Sequence, residues 1–143
     1  MTPRLTRPRV LIVDDVLTTR VLYRGWLRAA GFDVVEASNG VEALLRVRDA
    51  LPDVIVMDLM LPLMDGWEST RRLKADSRTA RIPVVALSGL TLVGEGATDA
   101  GCDAFLTKPC TSTDLVTAIR SVLDRPVTDA CLLRSSSAKI SRV

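Results

Sequence analysis

Asp58 closes the apolar run Val54-Ile55-Val56-Met57 and is followed by Leu59-Met60-Leu61-Pro62. A carboxylate there sits at a strand's exit, and in open α/β sheets the carboxyl ends of the strands face the ligand crevice. Two more such runs end on chemistry: Asp14-Asp15 follow Val10-Leu11-Ile12-Val13, and Ser88 follows Val84-Val85-Ala86-Leu87. A fourth run, Ala104-Phe105-Leu106, leads to Lys108-Pro109. One edge of one sheet would thus gather three carboxylates, a hydroxyl and an ammonium.

Those groups dictate their own chemistry. Two carboxylates about 4 Å apart repel by roughly 4 kcal/mol at an effective dielectric near 20, and three repel more. Something positive must join them. A lysine neutralises one charge, and a hard divalent cation with oxygen ligands neutralises the rest, Mg²⁺ being the usual choice where phosphates are handled. Metal, Lys and Ser together make a phosphoryl cradle. The phosphoryl group then arrives either on a bound ligand or on one of the carboxylates, since an aspartate is a competent nucleophile for a covalent acyl phosphate.

Asp14-Asp15, Asp58, Ser88 and Lys108-Pro109, in this order, resemble the receiver domain of bacterial two-component response regulators. The likeness runs from about Arg9 to about Leu123 and takes in Pro62-Leu63-Met64-Asp65-Gly66, Gly101-Cys102-Asp103-Ala104, and Phe105 three residues ahead of the lysine. Each piece alone is weak, whereas the ordered set is specific. The resemblance implies that Asp58 accepts a phosphoryl group from a histidine kinase or a histidine phosphotransfer protein. It implies that Asp15 and Asp58 ligate Mg²⁺ directly, Asp14 through water, and that the Met60 carbonyl completes the protein's share. Ser88 and Lys108 would bind phosphoryl oxygens, and Phe105 would change rotamer with Ser88. The implied product is a single-domain signalling module in the cytoplasm, without DNA-binding output and not an enzyme beyond its own phosphoryl transfer and autodephosphorylation. The alternative is a receiver fragment of a larger regulator.

Composition is compatible with this. At 143 residues the chain is one ordinary domain, able to bury roughly two thirds of its unfolded surface. Lys and Arg number 19 against 17 Asp and Glu, so no field drives binding to nucleic acid or to an anionic membrane. Histidine is absent, which removes His-based acid/base catalysis and self-phosphorylation on histidine. Cys102, Cys110 and Cys131 are an odd count without metal-ligand spacing and read as reduced thiols. No apolar stretch approaches membrane-spanning length, and Met1 to Pro8 lacks the apolar core of a secretory signal.

Positioning these side chains requires alternating strands and helices. Five short apolar runs begin near Val10, Asp33, Val54, Pro83 and Ala104, with helical patterns between. Those at Val10, Val54 and Pro83 are continuously apolar, as strands buried on both faces must be, whereas Asp33-Val34-Val35-Glu36 and Asp103-Ala104-Phe105-Leu106 are mixed and belong at sheet edges. The expected fold is α/β, a doubly wound five-stranded parallel sheet of (βα)5 flavodoxin-like type, strand order 2-1-3-4-5. Residues 1–8 read as an N-terminal extension, 9–124 as the receiver, and 125–143, with its Ser135-Ser136-Ser137 stretch, as a flexible tail.

The first helix reads from about Leu17 to Ala30, with Leu22, Trp26 and Ala29 on one face and Gly31 ending it. The second starts at Asn39, which with Glu42 resembles a capping box, and turns Val41, Leu44 and Leu45 inward. The third follows Asp65-Gly66 and ends near Lys74, and the fifth begins after Thr111-Ser112-Thr113-Asp114 and buries Leu115, Ile119, Val122 and Leu123. The fourth, Leu90 to Ala97, contains Gly94 and Gly96, each costing a helix roughly 1 kcal/mol relative to Ala, and is expected to be short or frayed. The segment from Ser88 to Lys108 is also a couple of residues shorter than is usual in the family. The face made by the fourth helix, last strand and fifth helix, with Leu92, Val93, Phe105 and Cys110 as its apolar part, is the expected surface for a downstream partner or a homodimer. The resemblance further places apolar Met60 and Leu90 beside the approach of hydrolytic water, which implies a long-lived phosphoryl group.

Every one of these residues also has an ordinary structural use. Acids follow strands as helix caps, a lone Ser is a turn residue, a lone Lys a solvated charge, and Phe105 on an edge strand reads as core. Trp26 and Trp67 read as packing, and Cys102 as the filling of a small buried slot. Joint placement at run ends is what favours a site. Two other function classes share parts of the pattern. A phosphatase of the haloacid-dehalogenase type also uses an aspartyl phosphate, Mg²⁺, Ser and Lys, but places its nucleophile after the first strand in an Asp-x-Asp pattern that Asp14-Asp15-Val16 lacks. A flavodoxin-like cofactor binder needs a hydroxyl- and glycine-rich loop after the first strand, for which Val16-Leu17-Thr18-Thr19 is a poor candidate.

Overall fold

Residues 7–61, 63–89 and 101–124 are described by the structure, a computed structural model. The apolar runs become strands β1 (Arg9–Val13), β2 (Asp33–Ala37), β3 (Val54–Asp58), β4 (Val84–Ser88) and β5 (Ala104–Thr107). Helices α1 (Leu17–Ala29), α2 (Gly40–Ala50) and α3 (Gly66–Ala75) connect successive strands, and α4 (Ser112–Leu123) follows β5. The strands pair in parallel, in the order β2-β1-β3-β4-β5.

This order follows from burial. β3 and β4 are buried at every position and β1 at all but Arg9, so they need cover on both faces, whereas β2 and β5 keep partly exposed positions and lie at the edges. Successive side chains alternate between faces. Val10, Ile12, Val54, Val56, Val85 and Leu87 therefore pack under α1 and α4, against Tyr23, Leu27, Leu115, Ile119 and Val122. Leu11, Val13, Ile55, Met57, Val84 and Ala86 pack on the other face against Ala43 and Val47 of α2 and Leu73 of α3. Trp26 and Trp67 are half-buried at the margins of these layers, and Cys102 fills a slot at 3% exposure, where burial pushes its thiol up to about 12.

Two helix faces differ from the sequence expectation. In α1 the buried residues are Tyr23 and Leu27, while Leu22 and Ala29 are exposed and Trp26 is half-buried. Apolar residues at 21, 22, 23, 26 and 27 allow two adjacent stripes, and the sheet selects one. In α2 the inward residues are Ala43 and Val47, with Val41 and Leu45 exposed. Its rotation is set by Gly40, where a Cβ would overlap Ser69 Oγ and the Met64 carbonyl oxygen. Small residues thus face the neighbouring elements, Leu44 packs partly buried against the core as expected, and Val41 and Leu45 turn outward. The α2 cap is also modified. Asn39 Oδ1 accepts the Glu42 N–H at 2.8 Å, but Glu42 Oε1 takes the Ser38 N–H at 2.9 Å rather than that of Asn39. The full reciprocal box occurs in α4 instead, between Thr111 and Asp114, so the stretch expected to precede that helix forms its cap and first turn.

The readings of the N-terminal extension (residues 1–6), of Pro62, of the fourth expected helix with Leu90, Leu92, Val93, Gly94 and Gly96, and of the tail with Cys131 fall outside the described residues. None of the described helices is long and apolar enough to cross a membrane.

Candidate functional site

The exits of β1 and β3 place two aspartates side by side under the sheet's carboxyl edge. Asp14 is 1% and Asp58 5% exposed. Each closes the same local turn, with Asp14 Oδ1 accepting the Val16 N–H at 2.9 Å and Asp58 Oδ1 the Met60 N–H at 3.0 Å. An aspartate that bonds the backbone two residues on fixes its own carboxylate plane. The second oxygens of both acids meet at Lys108, whose Nζ lies 2.9 Å from Asp14 Oδ2 and 3.3 Å from Asp58 Oδ2.

Lys108 is carried there by β5. Its N–H donates to the Ser88 carbonyl at 2.7 Å, and the following peptide to Pro109 is cis. Ser88, 1% exposed, ends β4, the neighbour of the Asp58 strand, and pairs in register with Thr107. Phe105 pairs with Ala86 and packs, half-buried, at the margin of the α2–α3 core layer. Strand alternation places Phe105, Ala86 and Ser88 on the same sheet face. Asp15 is exposed, yet Asp14, Asp15 and Asp58 each offer an oxygen within 4.8 Å of the others.

The electrostatics are unbalanced, with three carboxylates against one ammonium. Desolvation by burial raises the Asp58 pKa above the ordinary carboxylate range, and the neighbouring charge of Asp14 adds to it, while the Met60 N–H and Lys108 oppose the shift. Burial works against the Lys108 charge, but the hydrogen bond to Asp14 and the fields of Asp58 and Asp14 outweigh it, so the ammonium is held more firmly than usual. The two shifts agree once the distances are considered. Lysine answers to both acids, whereas Asp58 receives the longer of its two contacts. A hard-oxygen cluster with two of its acids buried and a surplus of negative charge fits a divalent cation such as Mg²⁺.

Asp14, Asp15, Asp58 and Lys108 meet here, and Ser88 ends the neighbouring strand, bonded through its carbonyl to the Lys108 N–H. The half-exposed Phe105 is neither full core nor a member of the acidic cluster, and Met60, at 58% exposure, stands at the cluster's rim. Two contributions were not read from the sequence, although Gly66 stands in the Pro62-Leu63-Met64-Asp65-Gly66 motif. A Cβ on Gly66, the first residue of α3, would overlap the Asp58 carbonyl oxygen, so only glycine lets α3 start against the β3 exit. Arg20 of α1 donates through Nη1 to the Asp14 carbonyl at 2.6 Å and through Nε to Glu36 at 3.1 Å. The available signal was a lone glutamate on an edge strand and arginines at 20 and 24, one helical turn apart.

The family model of the response regulator receiver domain matches residues 10–120. Among curated proteins, the polar-differentiation response regulator DivK of Brucella anthropi is 35% identical over 116 residues, covering 80% of this chain and 94% of DivK. The DNA-binding dual master transcriptional regulator RpaA of Synechocystis is 38% identical over 120 residues, covering 82% of this chain and half of RpaA's length. Among solved structures, the receiver domain of the sensor histidine kinase PA1611 from Pseudomonas aeruginosa, with magnesium coordinated in its active-site cleft, superposes with a TM-score of 0.77 at 26% identity, covering 84% of this chain and all of that one. Sheet order, site and family match agree: the chain belongs to the response regulator receiver domains of two-component systems.

Proposed function

We propose that this chain is a phosphoacceptor signalling module in which Asp58 takes a phosphoryl group from the phosphohistidine of a kinase or phosphotransfer protein. The observation that carries the reading is the bridging of Asp14 and Asp58 by Lys108 at the carboxyl edge of the sheet, with Asp15 in reach. An Asp58 oxygen forms the new bond to phosphorus as the phosphorus–nitrogen bond of the donor breaks, and the electron pair leaves with the imidazole. Burial and the Asp14 charge make the Asp58 carboxylate more basic, which favours it as the nucleophile. Asp15, Asp58 and the Met60 carbonyl would hold Mg²⁺, with Asp14 bonded to its water. When bound, the metal supplies positive charge to the transferring oxygens. Lys108 and the Ser88 hydroxyl bind phosphoryl oxygens after transfer, and Lys108 exchanges its present contact with Asp58 for one to the new group.

The chain acts on itself only. Water attack on phosphorus regenerates Asp58 and releases phosphate, so the module is a timed switch rather than an enzyme with a separate substrate. Its output is a change of binding surface toward a downstream protein or a second copy, led by Ser88 and Phe105, and it works beside its kinase in the cytoplasm. Incubation with Mg²⁺ and a small phosphodonor is expected to add one phosphoryl group to the wild type and none to Asp58→Asn. Equal labelling of that variant would remove Asp58 as acceptor. Asp15→Ala is expected to weaken Mg²⁺ binding, and an unchanged Mg²⁺ titration would remove it as a ligand.

A further inference from the structure

Arg20 reaches the acid pair through the pair's backbone rather than through its carboxylates. Its side chain, 15% exposed, sends Nη1 to the Asp14 carbonyl oxygen at 2.6 Å and Nε to Glu36 Oε1 at 3.1 Å. The other Glu36 oxygen accepts Arg24 Nη1 at 2.6 Å. The Asp14 carbonyl belongs to the peptide that joins Asp14 to Asp15, and the Asp14 N–H is itself bonded to the Ala37 carbonyl at 3.1 Å. Orienting that peptide sets the directions in which both carboxylates leave the backbone. The donors of a planar guanidinium hold a carboxylate and a carbonyl in one fixed relative geometry, whereas those of an ammonium rotate.

Charge sharpens the requirement. An uncancelled cation hydrogen-bonded to the Asp14-Asp15 peptide would compete with a divalent ion for the adjoining carboxylates, and Glu36 cancels it in place. We infer that Arg20 is a positioning residue for the Asp14-Asp15 pair, held to that task by Glu36, and that this bracket sets the affinity of the site for a divalent cation. The inference rests on the proposed Mg²⁺ reading of the site and names residues outside it. Arg24 supplies the internal control, because it shares Glu36 but makes no contact with Asp14 among the hydrogen bonds of the described residues.

The test is calorimetric titration of the unphosphorylated protein with Mg²⁺ alone, beside thermal unfolding of each variant without metal. Groups that orient metal ligands typically cost 10–100-fold in affinity when removed, so Arg20→Ala is expected to bind Mg²⁺ roughly tenfold more weakly and Arg24→Ala within about twofold of wild type, although both lose an ion pair to Glu36. Glu36→Gln keeps an acceptor oxygen for Arg20 while leaving the guanidinium charge uncancelled. It is expected to weaken Mg²⁺ binding in the same direction, and it covers the case in which Arg20→Ala does not fold. Unchanged affinity in Arg20→Ala or Glu36→Gln, or an equal loss in Arg24→Ala, overturns the inference while leaving the site reading intact. A wild type that binds no Mg²⁺ overturns the site reading itself.

Discussion

Gly66 lies flush against Asp58: a Cβ at Gly66 would collide with the Asp58 carbonyl oxygen and stand 2.7 Å from Leu59 Cα. The Gly66 N–H also donates to the Leu59 carbonyl at 3.2 Å, so the first turn of α3 and the exit of β3 form one unit. Gly66→Ala is expected to destabilise the fold by about 1–3 kcal/mol through overpacking, and to slow phosphoryl uptake by displacing the acceptor. Denaturant unfolding and phosphodonor labelling check the two effects. A variant of wild-type stability would mean that the helix yields without cost.

Asp58→Asn is expected to be more stable than the wild type at neutral pH without divalent ions. Burial, then the Asp14 charge, raise the folded-state pKa of Asp58 above its unfolded value, so the folded protein binds the proton more tightly. Stability contributed by the protonated form is full below the unfolded pKa and is lost as pH rises through the raised folded one. The gain from Asn should therefore be present at neutral pH and shrink as pH falls toward the ordinary carboxylate range. Melting midpoints of both proteins across that range decide it, and a destabilised Asn variant at neutral pH would show that the Lys108 contact outweighs the desolvation.

Met60 is 58% exposed and its N–H is committed to Asp58, so its side chain stands free at the rim of the acceptor. A polar replacement there would hold water near phosphorus, and Met60→Asn is expected to shorten the lifetime of the aspartyl phosphate. Single-turnover decay of the purified phosphoprotein measures this directly. An unchanged decay rate would show that Met60 does not border the path of the attacking water.

Ser88 and Phe105 share a sheet face on neighbouring strands. A beryllofluoride mimic at Asp58 should draw the Ser88 hydroxyl toward it and alter the packing of Phe105, because a ligand shifts populations only through contacts that differ between states. Amide resonances from 101 to 110 are expected to move in the wild type, and Ser88→Ala should confine the changes to the neighbourhood of Asp14, Asp58 and Lys108. The same spread of shifts in both proteins would mean that the signal leaves through another face.

The chemistry was legible along the chain because each acid, the serine and the lysine sits just after an apolar run, and a run's end needs only local patterning to be recognised. The placing of β2 and β5 at the edges was legible for the same reason, since mixed runs cannot be buried on both faces. Helix faces were not. Stripes one residue apart in α1 satisfy the same periodicity, and which one is buried depends on the sheet beneath, just as the rotation of α2 depends on what Gly40 must touch. Tertiary structure alone decided the distance at which Lys108 meets Asp14 across 94 positions of sequence, the fit of Gly66 on the Asp58 backbone, and the bracket from Glu36 through Arg20 to the Asp14 carbonyl. Such contacts join strands and helices distant in the chain, and their geometry exists only once the sheet has brought those elements into register. The residue types that could carry the chemistry were set by the sequence, and the distances at which they act were set by the fold.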